Sequence, residues 1–285
     1  MRADDQNRAT GREPLDTTAL RAALRPGGLW REVEVTEVTG STNADLLARA
    51  AAGAPEGVVL AAEAQTAGRG RRGRAWVSAP RAALTFSLLV RPAAVPPARR
   101  GWLPLLAGVA AAEAVRAASG VEARLKWPND LLAAAAGGAP RGKLGGILAE
   151  AVGGAVVIGI GINVSAEPGE LPRPSRGLAP ISLRAAGAAS LDRSGLLAGI
   201  LAGFARWYLA WCRVGGDPER CGLRPAYARL CDTFGRRVRV EMPGGQPLSG
   251  VAAGLDPGGR LLVRVPSGAG TAEVPVAAGD VVHLR

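Results

Sequence analysis

In the stretch Val156–Val164 the chain alternates from Ile158 onward, with Ile158, Ile160, Ile162 and Val164 on one set of positions and Gly159, Gly161 and Asn163 on the other. A period of two puts these sets on opposite faces of a β-strand. Glycine weakens a strand, so two on one face need a reason, often a closely approaching ligand. A second extended segment, Gly142–Ala151, precedes it across Gly153-Gly154, a strong hairpin-turn signal. With that two-residue turn, Gly161 lies opposite Gly146 and Gly159 opposite Leu148. The result is a flat floor, poor in side chains, suited to a planar bicyclic ligand. The same register puts Lys143 on the wrong face. Either Lys143 lies outside the regular ladder, just past Gly142, or the turn has another length.

Around this hairpin the patterns predict a mixed architecture. Asp16–Leu24 reads as a short helix capped by Asp16 or Thr17, and Arg31–Val38 as a strand. A helix runs from Ser41-Thr42-Asn43 to Ala52, stopped by Gly53. Val58–Ala64 and Leu84–Arg91 are apolar strands, Trp102–Ala118 an Ala-rich helix, and Ser194–Val214 the longest helix, with Ser194 as N-cap. Ala133–Arg141 is a loop of small residues. From Arg236 onward four short strands alternate with Gly and Pro turns, as in a small antiparallel barrel that leans on a neighbour. Strands and helices without strict βαβ alternation predict an α+β fold. The division expected is a disordered lead over 1–14, a main domain over 15–233 and a small β domain over 234–285.

Composition excludes several chemistries. The chain has one histidine, His283, so His-based triads and multi-His metal sites are out. Cys212, Cys221 and Cys231 are odd in number and fit neither a disulfide framework nor a metal knuckle. They read as idle thiols in a reducing cytoplasm. No secretory leader and no apolar run of membrane-spanning length is expected. The net charge of +11 is spread along the chain, except in one dense basic block. Of the 35 Lys plus Arg residues, only Lys126 and Lys143 are lysine. An arginine-rich chain that keeps lysine at two nearby sites suggests a need there for compact point charge.

Three further segments carry chemistry. Ser41-Thr42-Asn43 opens a helix. It serves either as a capping box with Asp45 or as a polar cluster that hydrogen-bonds a small ligand. In the block from Gly68 to Arg74, glycines let the backbone approach a ligand, while Arg69, Arg71 and their neighbours can grip phosphate. With no apolar anchor, the block should be mobile until it closes on an anion. Gln65, at the end of a strand, could present its amide to the same site. Lys126-Trp127-Pro128-Asn129-Asp130 is a stiff turn. Its Asn129 and Asp130 suit Mg2+ or a ribose hydroxyl, or an ordinary Asn-Asp turn.

Together these runs resemble the biotin protein ligases. Ser-Thr-Asn at 41–43, Gln-Thr-Ala-Gly-Arg-Gly-Arg-Arg-Gly-Arg at 65–74, Lys-Trp-Pro-Asn-Asp at 126–130, Gly-Lys-Leu-Gly-Gly-Ile-Leu at 142–148 and Gly-Ile-Gly-Ile-Asn at 159–163 occur in that family's order. The resemblance implies a catalytic domain like that of class II aminoacyl-tRNA synthetases, followed by an SH3-like domain. It implies an ATP-dependent ligase that makes biotinyl-5′-AMP and pyrophosphate, then transfers biotin to a lysine of the biotin carboxyl carrier domain of an acyl-CoA carboxylase. By the same likeness Ser41, Thr42, Asn43 and Gln65 contact the ureido ring, with Gly146, Leu148, Gly159 and Gly161 as the floor. Gly68, Arg69, Gly70 and Arg71 form the adenylate loop. Lys143 and Arg71 are catalytic, and Lys126, Asn129, Asp130 and Asn163 lie on the side of the nucleotide and its Mg2+. The stretch before Val38 is too short for the DNA-binding domain of some members, so no operator binding is expected. The alternatives are a lipoate or octanoate ligase or transferase, and a basic nucleic-acid binder using the 68–74 block; the latter lacks interleaved aromatics for base stacking.

Overall fold

A computed structural model describes residues 12–22, 27–134, 140–172, 177–241, 246–267, 270–277 and 279–284. The first sheet has 7 strands in the order β1-β2-β3-β7-β6-β5-β4. These are β1 (Glu32–Thr39), β2 (Val58–Gln65), β3 (Ala83–Val90), β4 (Ala123–Lys126), β5 (Asp130–Ala134), β6 (Pro140–Val152) and β7 (Ala155–Asn163). Only β1 and β2 pair in parallel; the other neighbours are antiparallel. The expected hairpin is present in the expected register: Val152 pairs with Ala155, Gly159 with Leu148 and Gly161 with Gly146.

The two faces of this sheet are packed differently. Under one face lies the main core, which takes Val59, Leu88, Ile158, Ile160 and Ile162 from the strands. It is covered by α3 (Leu103–Ser119) and α4 (Arg193–Arg213). Burying each isoleucine contributes about 1.5–3 kcal/mol, which is why the alternation was legible. Small residues let α3 and α4 approach closely: a Cβ at Gly203 would sit 3.5 Å from the Ala110 side chain. Helix α4 is long and apolar enough to cross a membrane by length and composition. Here its apolar stripe packs in the core and its Arg206 pairs with Glu113 at 2.6 Å. The opposite face is covered by α2 (Thr42–Ala51), whose Leu46 and Ala50 meet Val58, Leu60, Leu89 and Val157. Beyond Val157 the same row continues as Gly159 and Gly161, where the α2 packing gives way to a pocket.

The caps differ from the expectation in two places. Helix α4 is capped by Asp192, which accepts from the amides of Ser194 and Gly195. Ser194 instead accepts from the Asp16 amide at 2.8 Å. The missing side chain of Gly195 makes room, since a Cβ there would stand 2.4 Å from the Asp192 carboxylate. In α2 the N-cap is Ser41, and Asp45 turns back to accept from the Thr39 hydroxyl, so no Thr42–Asp45 box forms.

Residues 12–14, expected within a disordered lead, are held in place together with Leu15. Arg12 binds Glu170, the Glu13 carbonyl accepts from Arg193, and the Leu15 amide donates to Glu63, ahead of α1 (Thr17–Ala22). Residues 1–11 lie outside the described residues, as do 135–139 of the small-residue loop.

Several elements had no expectation: β4 and β5, the latter taking in Ala133 and Ala134 of the expected small-residue loop, α5 (Leu223–Leu230), and a last strand that closes the C-terminal sheet. That sheet comprises β8 (Arg237–Glu241), β9 (Leu248–Leu255), β10 (Leu261–Ser267), β11 (Gly270–Val276) and β12 (Asp280–His283), in the order β11-β10-β9-β8-β12. It leans on the first domain, as its size requires. The indoles of Trp102 and Trp127 donate to the carbonyls of Pro257 and Gly259, and Gly101 lies against the Gly258 carbonyl.

Candidate active site

A cavity of about 240 Å³ lies over the glycine row. Its walls come from the start of α2, the 68–76 loop, the β6–β7 hairpin, the turn between β4 and β5, and the C-terminal sheet through Glu241, Val281 and Val282. Five sequence segments that are distant along the chain thus meet in one place.

One end of the cavity is lined by neutral side chains and closed by a hydrogen-bond network that runs out to Glu150. The Gln65 side-chain oxygen accepts from both the amide and the hydroxyl of Thr42, at 2.8 and 3.1 Å. The Thr42 hydroxyl lies 2.7 Å from that of Ser87, which donates to the Asn43 side-chain oxygen at 2.6 Å. The Asn43 nitrogen donates to the Leu148 carbonyl and to Glu150 at 2.8 Å. Thr42, Asn43 and Ser87 are almost completely buried. A buried, mutually satisfied polar network is rigid and specifies one arrangement. Ser87 and Glu150 were not foreseen, because their value lies in partners more than forty residues away.

The other end is cationic. Lys143 lies 2.5 Å from one Asp130 oxygen and Lys126 lies 3.7 Å from the other. Arg71 donates to the Asn129 side-chain oxygen at 3.1 Å, and Asn129 in turn donates to the Ile147 carbonyl. Arg69 lies 3.5 Å from Glu150. The Arg69–Glu150 pair is the most exposed of these, and such pairs contribute only about 0–1 kcal/mol; the lysines and Asp130 are more deeply set.

The position of Lys143 resolves the register question. The β6–β7 ladder ends at Gly145, so Lys143 lies beyond it. Against β5 the pairing slips: Leu131 faces Gly145 but Leu132 faces Lys143. That bulge leaves Leu144 fully buried and turns Lys143 to the side of Gly146, where a Cβ would lie 3.7 Å from its Nζ. Bulges re-aim side chains in this way, commonly next to active sites.

The 68–74 block forms a closed hairpin. Arg69 bridges Ala75, the Gly70 amide donates to the Arg74 carbonyl at 2.6 Å, and the Trp76 amide donates to the Gly68 carbonyl. Arg72 holds φ at 57°, a conformation costly for a residue with a Cβ. The anchor missing from the block lies just past it. Trp76 lays its ring over the glycine floor, and a Cβ on Gly161 would stand 2.6 Å from that ring. A Cβ on Gly159 would stand 2.2 Å from the Asn43 oxygen. The floor is therefore covered by Trp76 and Asn43 rather than bare. The Trp76 indole nitrogen is buried without a hydrogen-bond partner among the described residues. Trp76 follows directly on the basic block, and that adjacency was the available sign.

Of the expected residues, Ser41, Thr42, Asn43, Gln65, Arg69, Gly70, Arg71, Lys126, Asn129, Asp130, Lys143, Gly146, Leu148, Gly159 and Gly161 all line the cavity. Asn163 does not: it is buried and donates to the Ile181 carbonyl, bracing the 180–183 segment. Gly68 is also set back, behind Trp76 and Gln65. No cluster of metal-binding side chains occurs among the described residues. Asp130 is the carboxylate at the cationic end nearest both lysines, and they already compensate it. The donor set does not fit a resident Mg2+ cage, and any such ion would come bound to phosphate oxygens.

The description "Biotin/lipoate A/B protein ligase family" fits residues 35–166, and "Biotin protein ligase C terminal domain" fits 233–284. The chain is 44% identical over 279 residues to the biotin--[acetyl-CoA-carboxylase] ligase of Mycobacterium tuberculosis, covering 96% of this chain and 97% of that protein. It is 32% identical over 259 residues to the bifunctional ligase/repressor BirA of Bacillus subtilis, covering 89% of this chain and 76% of that protein. The fold is that of a biotin protein ligase from Aquifex aeolicus solved with biotin and ATP, with a TM-score of 0.72 at 23% identity over 90% of this chain and 100% of that one. The α+β core and the SH3-like C-terminal domain are thus those of its relatives, and the chain belongs to the biotin protein ligase family.

Proposed function

We propose that this protein activates biotin with ATP and transfers it to a lysine of a biotin carboxyl carrier domain of an acyl-CoA carboxylase. The observation that carries this reading is the two-ended cavity: a neutral, prebuilt hydrogen-bonding end and a cationic end, joined by a floor of glycines. A fused ureido ring matches the first end, and a carboxylate meeting a phosphate matches the second.

In the first step a biotin carboxylate oxygen attacks the α-phosphorus of ATP and pyrophosphate leaves. Two anions must meet, and Lys143, with Arg69 and Arg71, neutralises them. Preorganised charge of this kind acts where charge develops. In the second step the neutral amine of the carrier lysine attacks the acyl carbon, AMP leaves, and the amine gives up a proton. No histidine base is needed, because the adenylate is already activated and positioning does most of the work. Thr42, Asn43 and Gln65 orient the ring. Trp76 and the 68–74 hairpin cover the adenylate and keep water out, and Lys126, Asn129 and Asp130 set the nucleotide side. Cys212, Cys221 and Cys231 are free thiols, in keeping with a cytoplasmic enzyme.

The test is pyrophosphate release from ATP that depends on added biotin, followed by mass gain of a carrier domain. Release with lipoate or octanoate instead would replace biotin as the substrate. Salt-sensitive binding of generic nucleic acid without adenylation would overturn the reading altogether.

A further inference from the structure

We infer that His283, the chain's one histidine, is a positioning residue of the C-terminal domain: it holds the Thr233 hydroxyl and, through it, the Trp127 amide beside the cationic end of the site. The inference rests on the reading above for what that end binds.

The argument follows from hydrogen bonds at the domain junction. Residues 231–233 run alongside the end of β4. Cys231 bridges Leu125, the Asp232 amide donates to the Leu125 carbonyl at 2.7 Å, and the Trp127 amide donates to the Thr233 hydroxyl oxygen at 3.0 Å. Lys126 sits between these two pinned peptide groups, with its ammonium 3.7 Å from Asp130. Thr233 is completely buried. Its oxygen already accepts from Trp127, and its own proton faces two acceptors, His283 Nε2 at 3.2 Å and the weaker Cys231 sulfur. For Nε2 to accept, the ring proton must be on Nδ1. That nitrogen faces an Asp232 carboxylate oxygen at 3.7 Å, an oxygen that is buried and has no hydrogen-bond partner among the described residues. The neutral ring then carries its hydrogen on Nδ1, directed at the Asp232 carboxylate from 3.7 Å, an electrostatic contact longer than a hydrogen bond.

The surroundings keep the ring neutral. Burial and the nearby Lys126 lower the pKa of His283 to about 4, against the pull of Asp232, with Arg236 and Asp130 opposed to one another. His283 belongs to β12, whose Val281 and Val282 line the cavity. One strand of the C-terminal sheet therefore both walls the site and braces the turn that carries Lys126, Asn129 and Asp130.

The experiment compares steady-state pyrophosphate release for wild type, His283→Leu, His283→Gln, Thr233→Val and the His283→Leu/Thr233→Val double variant, alongside thermal unfolding. A glutamine amide oxygen can stand near the place of Nε2 and accept from Thr233, whereas leucine only fills space. We expect His283→Leu and Thr233→Val each to raise the KM for ATP about tenfold, the effect of one lost hydrogen bond at a positioned group. The KM for biotin should stay unchanged, because its determinants lie at the far end. The double variant should be no worse than either single one, since both break the same link. His283→Gln should come within about threefold of wild type, as one preserved hydrogen bond allows. Equal values for Gln and Leu, or parallel losses for biotin and ATP that track a lower melting temperature, would overturn the inference and reduce the contact to packing. If a variant does not fold, Thr233→Ser against Thr233→Ala poses the same question, with hydroxyl retention as the rescue. Absence of biotin-dependent pyrophosphate release in wild type is a different result and overturns the functional reading instead.

Discussion

The two ends of the cavity solve opposite problems. At the neutral end Thr42, Asn43, Gln65 and Ser87 are locked to one another by hydrogen bonds of 2.6 to 3.1 Å, with all but the half-buried Gln65 buried. At the cationic end Lys143 holds Asp130 at 2.5 Å, while Lys126 and Arg69 stand off at 3.7 and 3.5 Å from Asp130 and Glu150, and all of these side chains keep partial exposure. A neutral ring offers little binding energy per group, so its site must be built in advance. A phosphate brings its own strong field, so its partners can be charged side chains held by a neighbouring carboxylate until it arrives. On the proposed function, specificity belongs to the neutral network and charge neutralisation to the cationic end.

This contrast can be broken at several points. The largest effect is expected at Lys143. Both Lys143→Ala and Lys143→Arg should lower adenylation by about 10²–10³, the usual loss for a charge acting in the transition state, with thermal unfolding unchanged. Near-normal turnover in the arginine variant would show that a guanidinium serves as well, and the preference for lysine in this arginine-rich chain would lose its explanation.

Next come the glycines. Gly159→Ala drives a methyl into the Asn43 oxygen, and Gly161→Val drives a branched side chain into the Trp76 ring. The first should cost about 100-fold in biotin affinity through two lost hydrogen bonds of the network, along with about 1–3 kcal/mol of stability from overpacking. The second should abolish biotin binding with little loss of stability, because Trp76 is only half-buried and can swing aside. Titration calorimetry paired with melting curves separates the two. A large stability loss at Gly161 would mean that Trp76 is part of the core.

A smaller effect should follow Arg71→Ala. Removing its grip and its bond to Asn129 should speed escape of biotinyl-AMP about tenfold, on the scale of one charge-assisted hydrogen bond. Trapping of released adenylate measures this. Leakage equal to that of wild type would give the retention role to Arg69 or Trp76.

The smallest expected effect is in pH. His283 has its pKa lowered to about 4 by burial and Lys126, with Asp232 and Asp130 pulling up and Arg236 down. Its unfolded value is near 6.5. The unfolded chain therefore binds a proton between these values that the folded chain does not. The contribution is fully present above about 6.5 and is lost as pH falls toward about 4. His283→Gln should flatten that part of the stability profile. An unchanged slope would place the acid sensitivity elsewhere.

Much of this was legible in the sequence, for physical reasons. Period-two alternation is dictated by strand geometry, so the isoleucine and glycine faces of β7 and the register across Gly153-Gly154 could be read directly. Short motifs carried most of the lining residues because their side chains and glycines act within a few positions. The isolation of Lys126 and Lys143 in an arginine-rich chain pointed at the cationic end without any coordinates. Tertiary structure alone decided the rest. The bulge at Leu144 that turns Lys143 inward depends on pairing with β5, and the removal of Asn163 from the site depends on a carbonyl at Ile181. Trp76 became the cover of the floor only because its loop folds back over a strand some eighty residues away. His283, which composition had set aside as a lone histidine, gained its place because β12 closes the C-terminal sheet against the end of β4. Local periodicity is written in neighbouring residues, whereas the partners of a buried polar atom are chosen by contacts that exist only once the chain has closed on itself.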